Sequence, residues 1–343
     1  MRVVRNIFPN VKGVGVSTSS DRSPCAVCLL ISVSVVASVC AVLVAYNYFD
    51  TTGTVGLMFP ERCPERLLTL KSGSDSPEGD LWAYATFWSY SPKDENGQGS
   101  DGEDRITKFA PRRLLENLEK TFKPLSLQPF ERLPNHCKEK IPSLEAHQNQ
   151  ELYDPKKNVM EFPNDLEPFA SPLFAADLSK EFRFRNQISK AAHNLMFKAE
   201  HVMQQRKQPF DTRIPIYLSP STPEMEQFLA PNGEADARAA QRETIEAAMA
   251  DYRNSTKPLF IVMGDHSLLH GVRAEDVVRV RKLPDSVALA VMSSGDGAIF
   301  NHGLLPTFGA LLARANVTSH AMNKTIIDAA NNASLNWKAS VVF

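Results

Sequence analysis

From about residue 211 the chain alternates between short apolar runs and amphipathic runs. "TRIPIYLSP" is a β-rich run, and "EADARAAQRETIEAAMADYRN" places Ile245, Ala248, Met249 and Tyr252 on one side of a helix. "KPLFIVMGD" is a continuous apolar strand, "LPDSVALAVMSS" a helix, "GAIFN" a short strand and "LLPTFGALLARA" the next helix. Strands buried on both faces read as unbroken apolar runs, so this succession predicts a parallel sheet with helices on both faces. In such sheets ligands bind beyond the carboxyl ends of the strands.

Upstream the pattern is less regular. "ADLSKEFRFRNQISKAAHNLMFKAEHVMQQRK" puts Ile188, Ala191, Ala192, Leu195, Met196, Ala199, Val202 and Met203 at helical spacing, with Asp177 or Ser179 as the expected cap. "GDLWAYATFWSYS", Gly79 to Ser91, reads as an opening helix or strand. "RRLLENLEKTF" is a short amphipathic helix with Leu114, Leu115, Leu118 and Phe122 on one face. Residues 123–175 are rich in proline and predict loops and lobe-bridging chain, and residues 47–76 read as a polar stem.

One run stands apart. Cys25 to Tyr46 carries no charge and is long enough to cross a bilayer core at about 1.5 Å per residue. It lies too far from residue 1 and is too long for an ordinary cleavable signal peptide. Arg2, Arg5, Lys12 and Arg22 precede it, while Asp50 and Glu61 follow it, which predicts a cytosolic N-terminus and a luminal remainder. Asn-x-Ser/Thr sequons at Asn254, Asn316, Asn323 and Asn332 fit a glycosylated luminal domain. Outside the span only Cys63 and Cys137 remain; in an oxidising compartment they read as one disulfide or as two buried thiols. With 43% hydrophobic and 22% charged residues and a net charge of −1, the composition is that of a globular protein and offers no basic face for nucleic acid.

The strand ends gather the candidate chemistry. Ser219 follows the first strand, Gly264, Asp265, His266 and Ser267 the second, and Asn301, His302 and Gly303 the third. The helix starting near Leu304 is expected to aim free N–H groups and its positive dipole end into the same cleft, where a diphosphate fits. Asp265 and His266 admit two readings. With His270, and with Asp296 and His302, they resemble ligands of a metal-dependent phosphohydrolase, which needs an open coordination position and an activated water. Alternatively they form the polar lip of a nucleotide-sugar cleft, with Asp265 accepting from sugar hydroxyls and His266 as donor ligand or base.

Several segments resemble the GDP-fucose-dependent α-1,2-fucosyltransferases: "GDLWAYATFWSYSPKDENG", "RRLLENLEKTFKPLSL", "LSKEFRFRNQISKAAHNL", "RETIEAAMADYRNSTKPLFIVMGD" and "DGAIFNHGLLPTFGALLARANVT". The resemblance covers roughly residues 78–337. It implies a type II Golgi membrane enzyme with two Rossmann-like lobes of the GT-B kind. The implied reaction is inverting transfer of fucose from GDP-fucose to a galactoside hydroxyl, without cofactor or required metal. The sequence departs from the family where the donor binds. "IPIYLSPST" replaces a His-x-Arg-x-Gly-Asp motif, leaving no arginine after the strand to grip the diphosphate, and Gly303-Leu304-Leu305-Pro306 stands in the place of a Gly-Thr-Phe-Gly turn. Arg183, Arg185, Arg213 and Arg273 are the candidate replacements.

The expected organisation is therefore a cytosolic tail (1–24), a transmembrane anchor (25–46), a luminal stem (47–76), an N-terminal lobe (77–210) and a C-terminal nucleotide-sugar-binding lobe (211–343), α/β throughout its folded part. The expected donor-binding residues are Ser219, Gly264, Asp265, Asn301, His302, Gly303, Arg183 and Arg185, with Asp265 and His266 the candidates for catalysis. A nucleotide sugar and a glycan acceptor are the expected partners. A non-catalytic luminal scaffold or glycan-binding relative that has lost donor binding is the competing expectation.

Overall fold

The computed structural model describes residues 66–70, 76–90, 106–138, 159–162, 170–220 and 234–343 apart from Arg273, all within one compact unit, Cys63–Phe343. Two wholly parallel sheets organise them. The first holds β1 (Arg66–Leu70), β2 (Ile106–Ala110), β3 (Gln128–Pro129) and β4 (Val159–Phe162) in the order β3-β2-β1-β4. The second holds β5 (Thr212–Leu218), β6 (Pro258–Gly264), β7 (Val277–Arg279), β8 (Gly297–Phe300), β9 (Asn316–Met322) and β10 (Trp337–Val342) in the order β10-β9-β8-β5-β6-β7. In each sheet the chain winds outward from its first strand, then returns to that strand's other side and winds the opposite way. This is the doubly wound order of dinucleotide-binding folds, with a switch point between β5 and β8.

Around these strands lie α1 (Pro77–Ser89), α2 (Arg112–Leu118), α3 (Asn135–Lys138), α4 (Ala170–Ala175), α5 (Asn186–Gln205), α6 (Glu234–Ser255), α7 (Asp285–Met292), α8 (Leu304–Ala313) and α9 (Lys324–Asn332). Patterning explains why the second lobe was the more legible. β6 is apolar from Leu259 to Met263 and wholly buried, because α6 covers one face and α5, α7 and α8 the other. α6 turns Ile245, Ala248 and Met249 inward as its spacing required.

The two lobes share a core. Trp82 of α1 meets Phe308 of α8 edge-on at 5.6 Å, and Phe182 meets the same ring at 5.1 Å. The Trp82 indole N–H donates to the Leu304 carbonyl at 3.0 Å. Phe174 of α4 stacks edge-on against Trp337 of β10 at 5.1 Å. Each such pair adds about 1 kcal/mol beyond the apolar area it buries. At the far end of α1, Lys108 donates to the carbonyls of Phe87, Trp88 and Tyr90, closing that helix end while burial pulls the ammonium down to about 8.

Several expectations are corrected. Arg66–Leu70, placed in the stem, is an inner strand of the first sheet. β3, β4, α3 and α4 occupy the proline-rich stretch expected to be loops. The long core helix begins at Asn186, not near Ser179: Phe184 first pairs with Phe122 in an isolated antiparallel bridge, and Ser179 bonds the Asp177 side chain instead of capping. Ala191 of that helix is exposed, and the helix packs on α7 and β6, so it belongs with the second sheet although it was assigned to residues 77–210. Cys137 is disulfide-bonded; its expected partner, Cys63, lies outside the described residues. Among the described residues no helix is long and apolar enough to cross a membrane, and the expected anchor, Cys25–Tyr46, lies outside them.

Candidate functional site

The three expected turns meet at one end of the second sheet. Leu218 is paired with Gly264, and Tyr217 with Phe300, so Ser219, Asp265 and Asn301 leave three neighbouring strands at the same level. Two glycines make the approach possible. Gly264 has φ +82°, and a Cβ there would overlap the Leu218 carbonyl. Gly303 has φ +112°, and a Cβ there would stand 2.9 Å from the Ser219 hydroxyl oxygen.

The side chains at the switch point hold one another. The Ser219 N–H donates to Asn301 Oδ1 at 2.8 Å, Asn301 Nδ2 donates to the Ser219 carbonyl at 2.9 Å, and the Ser219 hydroxyl donates to the His302 carbonyl at 2.6 Å. Asp265 is likewise engaged: its two oxygens accept from the Ser267 N–H and hydroxyl, both at 2.9 Å, capping the short 3₁₀ helix His266–Leu269. Among the described residues, His266 and His302 each bury a ring Nε2 that meets no partner. Burial lowers the pKa of both, with Arg279 and Arg281 adding to the effect on His266 and His320 adding to that on His302.

The proposed metal ligands do not gather. Asp296 precedes β8 and accepts from the N–H of Arg213 at the opposite end of β5, so the length of a strand separates it from Asp265. Among the described residues no three His, Cys, Asp or Glu side chains come together as a metal centre. The candidate arginines also have other work. Arg185 reaches the carbonyls of Glu119 and Phe122 beyond the end of α2, and Arg213 pairs with Glu200 at 2.7 Å. Arg183 is exposed beside the Phe122–Phe184 bridge, and Arg273 lies outside the described residues.

The first turn of α8 is not left open. The Glu78 carboxylate from α1 lies near the Leu305 backbone N–H, which favours its ionised form, and Pro306 has no N–H to offer. Glu78, Tyr217 and Asp285 form a group where the first turns of α1, α7 and α8 converge. Burial first, then Asp285, raises the Glu78 pKa; burial, then Asp285 and Glu78, pushes Tyr217 up to about 12. Tyr217 reaches Asp285 at 3.5 Å. Sequence reasoning missed this group, because each acid reads locally as an ordinary first-turn residue beside a proline. It also missed Gln241 and His320, both fully buried, which look in the sequence like a polar helix position and a polar strand position.

The four sequons divide. Asn254, Asn316 and Asn332 are exposed at the end of α6, the start of β9 and the end of α9, all on the sheet edge remote from the strand C-termini. Asn323 follows β9 at the other edge, where its Oδ1 caps α9 by accepting the Thr325 N–H at 2.7 Å.

No protein-family model, no curated protein and no solved structure matches this chain. The class that the geometry defines is an α/β protein of two parallel, Rossmann-like sheets that share one core.

Proposed function

We propose that this chain is a nucleotide-sugar transferase, anchored in the Golgi membrane as a single-pass type II protein, that moves fucose from GDP-fucose to a galactoside hydroxyl of a glycan. The observation that carries this reading is the doubly wound order of the second sheet, with Ser219 and Asn301 at its switch point, the crevice where such folds take nucleotides. The first turns of α1 and α8 meet there, so groups from both lobes surround the place where a donor would lie. Glu78, a carboxylate whose proton affinity burial has raised, is suited in kind to accept a proton from an acceptor hydroxyl.

A second reading, a luminal scaffold or glycan-binding relative without donor binding, is favoured by one set of observations. Arg185 and Arg213 are committed to structural partners, and a carboxylate, Glu78, stands near the first turn of α8. Titration of the full chain with GDP and GDP-fucose, with and without EDTA, separates the readings. Saturable binding that EDTA leaves unchanged, followed by transfer to a galactoside, is the expected result. Absence of binding by either nucleotide sinks the transferase and leaves the scaffold; binding abolished by EDTA calls back the metal-dependent class.

A further inference from the structure

Past the end of β6 the chain forms a turn, Asp265 to Val272, and arginines close on it from two elements. Arg279 of β7 donates through Nη2 to the Leu269 carbonyl at 3.1 Å and to the Val272 carbonyl. Arg242 of α6 reaches the His270 carbonyl at 3.3 Å, while its Nε pairs with Glu246 at 2.8 Å. Glu246 thus balances the charge of Arg242. Carbonyls carry no net charge, so Arg279 is held in place without being neutralised, and the donors on its Nε and Nη1 are left over.

Strand register puts a second guanidinium beside it. Val262 pairs with Arg279, and the Val280 N–H donates to the Val262 carbonyl at 2.9 Å, so Arg281 stands level with Gly264, where β6 ends. Both arginines act electrostatically on His266, which leads the same turn. Both are exposed, and among the described residues neither meets a carboxylate. The one acid of the turn, Asp265, spends its two oxygens on Ser267. In a chain of net charge −1, this corner of the strand ends holds a local excess of positive charge.

We propose that Arg279 and Arg281 form a seat for one tetrahedral oxyanion, a phosphate or sulfate group, at the β7 edge of the strand ends. Two residues along a strand advance about 7 Å, a spacing that one such group can bridge with a forked contact to each guanidinium. β7 lies three strand spacings from β8, about 14 Å, so this oxyanion and a donor diphosphate at the first turn of α8 are separate groups. Two sources supply the chemistry: free inorganic phosphate, and a sulfate or phosphate ester on a saccharide acceptor. The second source rests on the transferase reading; the seat itself does not.

Calorimetry of the full chain with inorganic phosphate, galactose 6-sulfate and galactose, each with and without GDP, tests the seat. Arg281→Ala should weaken binding of the anions about tenfold, the loss of one charge-assisted contact. Lys338→Ala removes the same charge from β10, at the opposite edge of the sheet, and should change it by no more than about twofold, as should Arg281→Ala for GDP. Binding of phosphate but not of galactose 6-sulfate assigns the free ion; binding of galactose 6-sulfate about tenfold more tightly than galactose assigns an esterified saccharide. In a histidine NMR titration, saturating phosphate should raise the proton affinity of His266 by offsetting the two guanidiniums. No binding of either anion, equal effects of Arg281→Ala and Lys338→Ala, an unmoved His266, or a matching loss of GDP affinity in Arg281→Ala would each overturn the proposal. A chain that binds phosphate through Arg281 but binds no GDP keeps the seat and loses the transferase.

Discussion

Asn301 answers both polar groups of the Ser219 peptide, accepting its N–H at 2.8 Å and donating to its carbonyl at 2.9 Å. The pair spans the strand-order reversal between β5 and β8, so one amide side chain does there what a strand neighbour does elsewhere. Asn301→Ala removes both bonds from peptide groups that are only partly buried. Because an unpaired buried group costs about 1–3 kcal/mol and water reaches these two in part, a loss of about 2 kcal/mol in urea denaturation is expected. A change below about 0.5 kcal/mol, the range of an ordinary surface substitution, would show that the clasp contributes nothing.

Gly264 and Gly271 both have positive φ, +82° and +86°, but only at Gly264 would a Cβ meet backbone; at Gly271 there is open space. Gly271→Ala should therefore cost only the left-handed conformation, about 1–2 kcal/mol. Gly264→Ala adds a steric clash with the Leu218 carbonyl and should exceed it clearly in the same melting experiment. Equal losses would mean that conformation, not contact, selects glycine at the end of β6.

Acid should destabilise the protein. Burial lowers the pKa of His266, His302 and His320 in the fold, while in the unfolded chain each titrates near about 6.5. Below that pH the unfolded state takes up more protons, so stability falls as pH drops from about 6.5 toward the folded values. Glu78 has the opposite sign, its raised pKa lowering stability as pH rises above about 4.3. Urea midpoints measured between about pH 7.5 and pH 5.5 should decline in the native chain and decline less in a His302→Asn/His320→Asn variant. Identical slopes would exclude these two rings as the cause.

Under the transferase reading, a donor diphosphate at the first turn of α8 meets the like charge of the Glu78 carboxylate beside it. Glu78→Gln removes that charge with little change of shape. GDP affinity in calorimetry should then rise by about threefold to tenfold, which corresponds to a helix-end charge effect of about 0.7–1.4 kcal/mol. Weaker binding would make Glu78 a positioning group for the donor rather than its rival.

The sequons yield a separable pair of effects. Asn323→Ala should cost about 1 kcal/mol by removing the α9 cap, whereas Asn254→Gln, Asn316→Gln and Asn332→Gln should leave the melting temperature of the deglycosylated protein nearly unchanged. Each of those three should lower the mass of the cell-made protein by one glycan. Unchanged mass in all of them would count against luminal residence.

Sequence alone determined the second lobe's strands and helices wherever one side chain pattern repeats along a buried element: β6, α6, α7 and α8 follow directly from their apolar runs. It also brought Ser219, Asp265 and Asn301 to one sheet edge, since parallel strands put their C-termini together. β7, β9, α9 and β10 were not recognised: β7 has three residues, β9 ("NVTSHAM") interrupts its apolar positions with Thr, Ser and His, β10 is an edge strand with mostly small side chains, and α9 carries few large apolar residues. The first sheet escaped notice for a related reason: its strands are short, and one of its inner strands, Arg66–Leu70, lies within the stretch assigned to the polar stem.

Only the tertiary structure decided what the polar residues do. Local pattern tells whether a segment is buried, but a hydrogen bond between residues 219 and 301, or between 82 and 304, depends on where distant elements come to rest. The arginines considered for a phosphate were drawn to nearer helix carbonyls and to Glu200, and the glutamate on the first turn of α8 came from the other lobe. A chain's own pattern can announce the scaffold; the partners of each charge are chosen by packing, because hydrogen bonds act within about 3 Å and screened charges within about 8–10 Å, and sequence distance does not measure that separation.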